Sequence, residues 1–298
     1  MPTTLTQDAL VVDRTWSAQE LAHYEDLIAR IGGPSGYYHR YVIRDHANQT
    51  LTTPGPHPCM QVLPSLERFG FPRDLKDKTV LDIGCNAGFY SFAAKLRGAR
   101  SVVGLDYFQH CIDQANLFRE ILQLDVEFRQ ADGENLVPEA IGSFDFVNNT
   151  GVLYHLQNPM RYLSNMARLT SGCMFLESEM LTHPKYSEYA WFIERDYCGD
   201  GSNWWLYGPE CVVRMARAAG FSRAEFKGWV WKPSWREKKT PEGFERQERG
   251  IVICWKSLAR RRPDYFDPTG PGAIGPFMSF QFSSALNTRL NSPWFCQR

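Results

Sequence analysis

The chain has 298 residues, 43% of them hydrophobic and 14% aromatic, with 33 Lys and Arg against 33 Asp and Glu. That composition gives a substantial core and excludes disordered, collagen-like and coiled-coil chains, while zero net charge argues against a broad electrostatic grip on nucleic acid. No apolar run approaches the roughly 18 residues of a membrane span, Asp8, Asp13, Arg14 and Glu20 stand where a signal peptide would be apolar, and the eight cysteines lack zinc-type spacing, so the reading is a cytoplasmic protein with reduced thiols and no metal.

In chain order, residues 17–31 read as an amphipathic helix. Ser17 and Glu20 form a capping-box pattern, Leu21, Tyr24, Leu27, Ile28 and Ile31 make an apolar stripe, and Gly32-Gly33 stops it. Tyr37 to Pro72 carries Pro54, Pro56, Pro58 and Pro64 among aromatics and reads as an irregular wrapped segment. From Lys78, short β-rich runs alternate with helical patterns. The strands are TVLDI, SVVGLD, VEFRQAD, FDFVNNT and CMFLESEM, with helices at 88–98, 109–122, 159–169 and 209–219. AEFKGWVWKP and RGIVICWKS, joined by the charged loop Ser234 to Glu248, read as an antiparallel edge hairpin.

The expected fold is therefore α/β: a doubly wound, Rossmann-like, seven-stranded, mostly parallel sheet with an antiparallel edge hairpin, an N-terminal helical extension and an irregular C-terminal tail. The expected organisation is 1–72 as helix and wrapped segment, 73–259 as the ligand-binding domain with an insertion at about 182–208, and 260–298 as a Pro- and aromatic-rich tail packed on the body.

The most informative run is VLDIGCNAGFYSFAAKLRGARSVVGLD, residues 80–106. A buried strand enters Asp82-Ile83-Gly84-Cys85-Asn86-Ala87-Gly88 and leaves directly into a helix. Gly84 and Gly88 permit a tight turn, and the helix N-terminus offers N–H groups to an anion. Asp106 ends the second strand 18 residues after Gly88, where a carboxylate can hold both ribose hydroxyls. The loop reads DxGxxxG, not GxGxxG, with Asn86 where the dinucleotide fingerprint has its second Gly, which suits a nucleoside better than a pyrophosphate.

DIGCNAG followed by GLD resembles motif I and its acidic partner in class I S-adenosylmethionine (SAM) methyltransferases. The resemblance implies that SAM is the cofactor and that Asp82, Gly84, Asn86, Gly88, Asp106, Asp132, Gly133, Asn149 and Thr150 surround it, Asp132 lying beside the adenine. GVLYHLQNP, residues 151–159, is similar to a segment of the tRNA wobble-uridine methyltransferases and carboxymethyltransferases. That likeness extends over about 78–256 and implies that Tyr154 and Arg249 reach the reacting end of the cofactor. A carboxylated cofactor in that family also uses an upstream Lys, and Tyr37 to Leu75 contains none, so ordinary SAM and methyl transfer are expected.

His155 is the general-base candidate because its ordinary pKa suits neutral pH, with Glu177 as a second catalytic candidate and Glu179 beside it on the same strand face. Trp191, Trp204 and Trp205 could stack on a planar acceptor and Arg195 could pair with an anion, forming a lid over the sheet edge. Tyr37, Tyr38, His39 and Arg40 are expected to close the site from the other side. The reaction expected is methylation of a hydroxyl, less readily a nitrogen, of a small metabolite in secondary metabolism. The alternatives are a tRNA wobble-uridine enzyme and a SAM-binding protein that works through an interaction surface. No membrane partner is expected, and the oligomeric state, a homodimer included, is open.

Overall fold

In the computed structural model the described residues are 3–32, 36–194, 197, 200–230 and 247–256. The charged loop as far as residue 246, Arg195 and the tail from 257 lie outside them.

Seven strands carry the central sheet: β1 (Thr79–Ile83), β2 (Ser101–Asp106), β3 (Glu127–Gln130), β4 (Phe144–Thr150), β5 (Thr170–Leu181), β6 (Arg223–Trp229) and β7 (Gln247–Trp255). Their order is β3-β2-β1-β4-β5-β7-β6. Val80, Leu81 and Ile83 of β1 are all buried, as a parallel strand covered on both faces requires. The hairpin lies where the sequence places it, but β7 does not follow β6 outward. It inserts between β5 and β6, antiparallel to both, and pairs β5 over nine positions from Cys173 with Trp255 to Leu181 with Gln247. Arg249 is thereby set opposite Glu179, at the carboxyl end of β5.

The insertion adds two short strands, Ala190–Phe192 and Trp205–Tyr207, joined to β5 through Met180 and Tyr207, so the whole sheet has nine strands. Strand order reverses between β1 and β4, and in open α/β sheets the crevice beyond the strand ends at such a reversal takes the ligand.

Helix α1 (Ala18–Ile31) begins with the expected capping box: Ser17 Oγ accepts from the Glu20 amide and Glu20 accepts from the Ser17 amide. The segment after it is more ordered than its prolines suggest. It contains helix α2 (Cys59–Arg68) with Pro64 inside, and the strands Val42–Arg44 and Thr50–Thr52, which form a small sheet with Thr4–Leu5 and Leu10–Val11. Proline within a helix loses one hydrogen bond and strains the turn before it. Here Cys59, Met60, Val62, Leu63 and Leu66 are buried on the main core, and that burial outweighs propensity.

Helices α3 (Phe89–Leu96) and α4 (Gln109–Leu122) cover one face of the sheet, while α5 (Pro159–Leu169) and α6 (Pro209–Ala218) belong to a second core on the other. The N-terminal segment is fastened to the first layer by named bonds. The Tyr41 hydroxyl donates to the Ala87 carbonyl at 2.8 Å, and Gln114 Nε2 donates to the Gly32 and Gly36 carbonyls at 3.3 and 3.2 Å.

Candidate functional site

The turn after β1 is held almost entirely by itself and β2. The Gly84 and Cys85 amides donate to the Leu105 carbonyl, the Asn86 amide to Asp106 Oδ2 at 2.9 Å, the Ala87 amide to the Asn86 side chain at 2.8 Å, and the Gly88 amide to Cys85. All five amides from 84 to 88 are thus paired within the protein, so any N–H groups offered to an anion belong to the first turn of the helix that follows, Phe89–Leu96. Gly84 is required twice over: its φ is +69°, and a Cβ there would stand 2.5 Å from Val152 Cγ2. Asn86, at φ +47°, takes a left-handed position that Asn tolerates through its own side-chain bond to the next amide.

Asp82 and Asp106 have different roles. Asp82 is 1% exposed, accepts from Ser91 Oγ at 2.5 Å and Asn148 Nδ2 at 2.7 Å, and is pushed up to about 6 by burial. Thr150 Oγ1 donates to Asn148 Oδ1, extending the same buried chain of bonds. Asn149 points into the other layer, where its Nδ2 reaches Met174 Sδ and its Oδ1 has no partner among the described residues. Asp82, Asn148 and Thr150 therefore brace the loop from beneath, while Asn149 faces away from it.

Asp106 holds the Asn86 and Phe108 amides, and the residues that follow it line an open pocket of about 400 Å³, made by Tyr107, Phe108, Gln109, Gln130, Ala131 and Asp132. Tyr107 and Phe108 are 62% and 53% exposed, so two aromatic faces are available to a planar base. Asp132 caps the turn at Gly133–Asn135. A nucleoside with a carboxylate for its ribose and aromatic faces for its base fits this arrangement, and the paired amides fit it better than they fit a phosphate.

The other half of the crevice holds charge. Glu177, 2% exposed, forms a two-point ion pair with Arg249: Nη2 donates to Oε2 at 2.7 Å, and Nε donates to Oε1. Burial pushes the Glu177 carboxyl up and Arg249 pulls it down. The guanidinium stays charged despite its burial because Glu177 lies against it, so the two form an ion pair. Arg249 Nη1 donates to the Tyr154 hydroxyl at 2.7 Å, which turns the Tyr154 O–H toward another acceptor. Gly151, at φ +76°, gives Arg249 room, since a Cβ there would lie 2.8 Å from Nη2. This pairing corrects the expectation of Glu177 as a base: its oxygens are already held by a permanent cation.

His155 sits beside this clamp, its ring 4.1 Å from that of Tyr154. Burial lowers its pKa, and Asp200 works in the opposite sense. Its Nδ1 meets the carbonyl and the hydroxyl of Ser202, at 3.3 and 3.0 Å, and its Nε2 has no hydrogen-bond partner among the described residues.

Of the lid aromatics, Trp204 comes nearest, donating its amide to the Tyr154 carbonyl at 2.9 Å. Trp205 stacks on Tyr207 against the second core and Trp191 packs on a small cluster around Ile193 and Leu206, so both cover the sheet edge. Among Tyr37 to Arg40, the Tyr37 hydroxyl is tied to Ile28, His39 is buried and Arg40 is exposed. Tyr38 alone bears electrostatically on both Arg249 and Tyr154, and it stacks on His57 at 5.1 Å. His57, Tyr90, Asp200 and Ser202 escaped the sequence reading. Only Asp200-x-Ser202 carries a local signal, an Asx-type turn in which the Ser202 amide donates to Asp200 Oδ1.

A methyltransferase-domain family matches residues 81–172. The tRNA U34 carboxymethyltransferase of Actinobacillus pleuropneumoniae serotype 3 (strain JL03) is 36% identical over 105 residues, which is 33% of this chain and 31% of that one. The ubiquinone biosynthesis O-methyltransferase of Nitrosomonas europaea is 30% identical over 166 residues, 53% of this chain and 70% of that one. The matched stretch spans less than half of the carboxymethyltransferases it resembles. The N-terminal domain of EvdMO1, solved in the presence of SAH and D-fucose, shares the fold with a TM-score of 0.50 at 19% identity, over 68% of this chain and 84% of that one.

Proposed function

The chain belongs to the class I SAM-dependent methyltransferases, and from that premise we propose that it methylates a hydroxyl of a small-molecule acceptor with His155 as the general base. When bound, SAM supplies a methyl on a sulfonium: the acceptor oxygen's lone pair forms the new C–O bond as the S–C pair returns to sulfur, leaving S-adenosylhomocysteine. Asp106, Tyr107, Phe108 and Asp132 hold the nucleoside end, and the Tyr154 hydroxyl, set by Arg249, orients the acceptor. His155 Nε2 takes the acceptor's proton. In-line displacement gains most from alignment and water exclusion, and general-base help adds roughly 10² to 10⁴ in rate.

One observation carries this reading. On the acceptor half, Glu177 is locked to Arg249, whereas His155 beside the same clamp has an Nε2 with no hydrogen-bond partner among the described residues. Released S-adenosylhomocysteine, measured over a panel of phenolic, enolic and sugar hydroxyl acceptors, tests it. His155→Ala is expected to lower turnover roughly 10² to 10⁴-fold while leaving SAH affinity unchanged. Unchanged turnover removes His155 from the reaction.

The likeness to tRNA U34 carboxymethyltransferases favours a second reading, tRNA as acceptor. The even charge balance weighs against it, and tRNA binding whose affinity falls steeply with salt would restore it.

A further inference from the structure

We infer that Asp200 and Ser202 are positioning residues that hold His155 in the one neutral tautomer able to accept a proton from the acceptor. The inference rests on His155 being the base. Its support is donor counting at a chain of three side chains that joins the insertion to the loop after β4.

Asp200 is kept ionised. Burial acts to raise its pKa, but the hydrogen bonds from Ser202 outweigh that and hold the carboxyl below the usual range. An ionised carboxylate can only accept. The Ser202 hydroxyl lies 2.6 Å from Asp200 Oδ1 and must therefore give its single proton there. With that proton used, Ser202 Oγ can only accept from its other neighbour, His155 Nδ1, at 3.0 Å. The second group at Nδ1, the Ser202 carbonyl at 3.3 Å, is an acceptor by nature. Two acceptors face Nδ1, so in the neutral ring Nδ1 carries the proton and Nε2 carries the lone pair. The reverse tautomer would place two lone pairs against one another.

The same chain adjusts the ring's basicity. Among the described residues three groups facing His155 are charged or titratable: Asp200 from the insertion, Arg249 from β7, and Tyr154 from its own turn. Burial lowers the pKa most, Arg249 lowers it further, and Asp200 raises it. The Tyr154 phenol is pushed up by burial and stays neutral, and the Arg249 charge is largely answered by Glu177. Asp200, and to a lesser degree the Ser202 carbonyl, thus resist the loss of basicity that burial imposes. The Trp204 amide bond to the Tyr154 carbonyl fixes the insertion to this turn two residues beyond Ser202.

The test uses the full chain, labelled with ¹⁵N-histidine and saturated with S-adenosylhomocysteine, with His155→Gln identifying the resonances. Above its pKa the His155 ring is expected to show an N–H type Nδ1 and a lone-pair type Nε2; the reverse pattern overturns the inference. Asp200→Asn keeps an acceptor oxygen in place and so keeps the tautomer, but it lowers the imidazole pKa and moves the acid limb of the turnover profile to lower pH. Ser202→Ala leaves only the longer carbonyl contact, so the tautomers mix and kcat falls about tenfold with KM for SAM unchanged, a fraction of what a general base supplies.

Equal SAH affinity in all three proteins shows that the fold is intact. An unmoved pH profile in Asp200→Asn, or an unmoved tautomer in Ser202→Ala, also overturns the inference. If His155→Gln turns over normally while the ring has the expected tautomer, the general-base reading fails and the positioning stands. If His155→Gln is inactive and the tautomer is unmoved in Ser202→Ala, the base stands and the positioning fails.

Discussion

The two halves of the crevice use polar groups in opposite ways. Around the turn after β1, most hydrogen bonds span about twenty residues or fewer and close on themselves: amides 84–88 on β2 and on one another, and Asp82 on Ser91. Around β5 and β7 they are long in sequence and carry charge, as in Glu177 with Arg249, 72 residues apart. A self-satisfied turn presents shape and one carboxylate to its ligand, which suits a cofactor common to many reactions. A buried ion pair with a tyrosine hydroxyl and an imidazole at its edge presents directed donors and a base, which suits one acceptor.

Breaking the ion pair is the hardest blow to this contrast. Arg249→Met leaves Glu177 buried without its cation and is expected to cost about 3–5 kcal/mol of unfolding free energy in urea. Adding Glu177→Leu is expected to restore most of it, since the desolvation goes with the charge. A double variant as unstable as the single one would mean that packing, not charge, holds this half.

Next comes the acid beneath the cofactor turn. Asp82 has a folded pKa of about 6 against an ordinary 3.8. Between those values the native protein keeps a proton that the unfolded chain has released. Stability therefore falls as pH rises through that window, by about 3 kcal/mol for this group, and levels off above it. Asp82→Asn is expected to flatten the decline measured by urea titration from pH 4 to 6. An unchanged slope would place the shift elsewhere.

The smallest effects separate lining from bracing. Asp106→Asn is expected to weaken S-adenosylhomocysteine about tenfold by calorimetry, about 1.4 kcal/mol. Thr150→Val, which only removes a bond to Asn148, should cost about 1 kcal/mol of stability and leave affinity within about twofold. Equal losses of affinity in both variants would erase the distinction.

Legibility followed the same division. The turn after β1, its helix and Asp106 could be read because their roles depend on residues within some twenty positions: glycines where φ is positive, an acid where a strand ends. α1 was legible through Ser17 and Glu20 for the same reason. α2 was hidden because Pro64 argues against a helix locally, while the burial that overrides it comes from distant parts of the chain. Arg249 and Glu177 were both singled out, yet nothing in spacing says that they meet; the antiparallel insertion of β7 beside β5 brings them together. The contact between Ser202 and His155 depends on how a 47-residue excursion returns, and no period or cap announces that.

The Tyr41 hydroxyl rests on the Ala87 carbonyl, 46 positions further along and inside the turn that receives the cofactor. The small N-terminal sheet, whose strand Val42–Arg44 follows Tyr41, is thus moored to the turn after β1. Saturation with S-adenosylhomocysteine is therefore expected to slow the exchange of the backbone amides around Tyr41 with solvent.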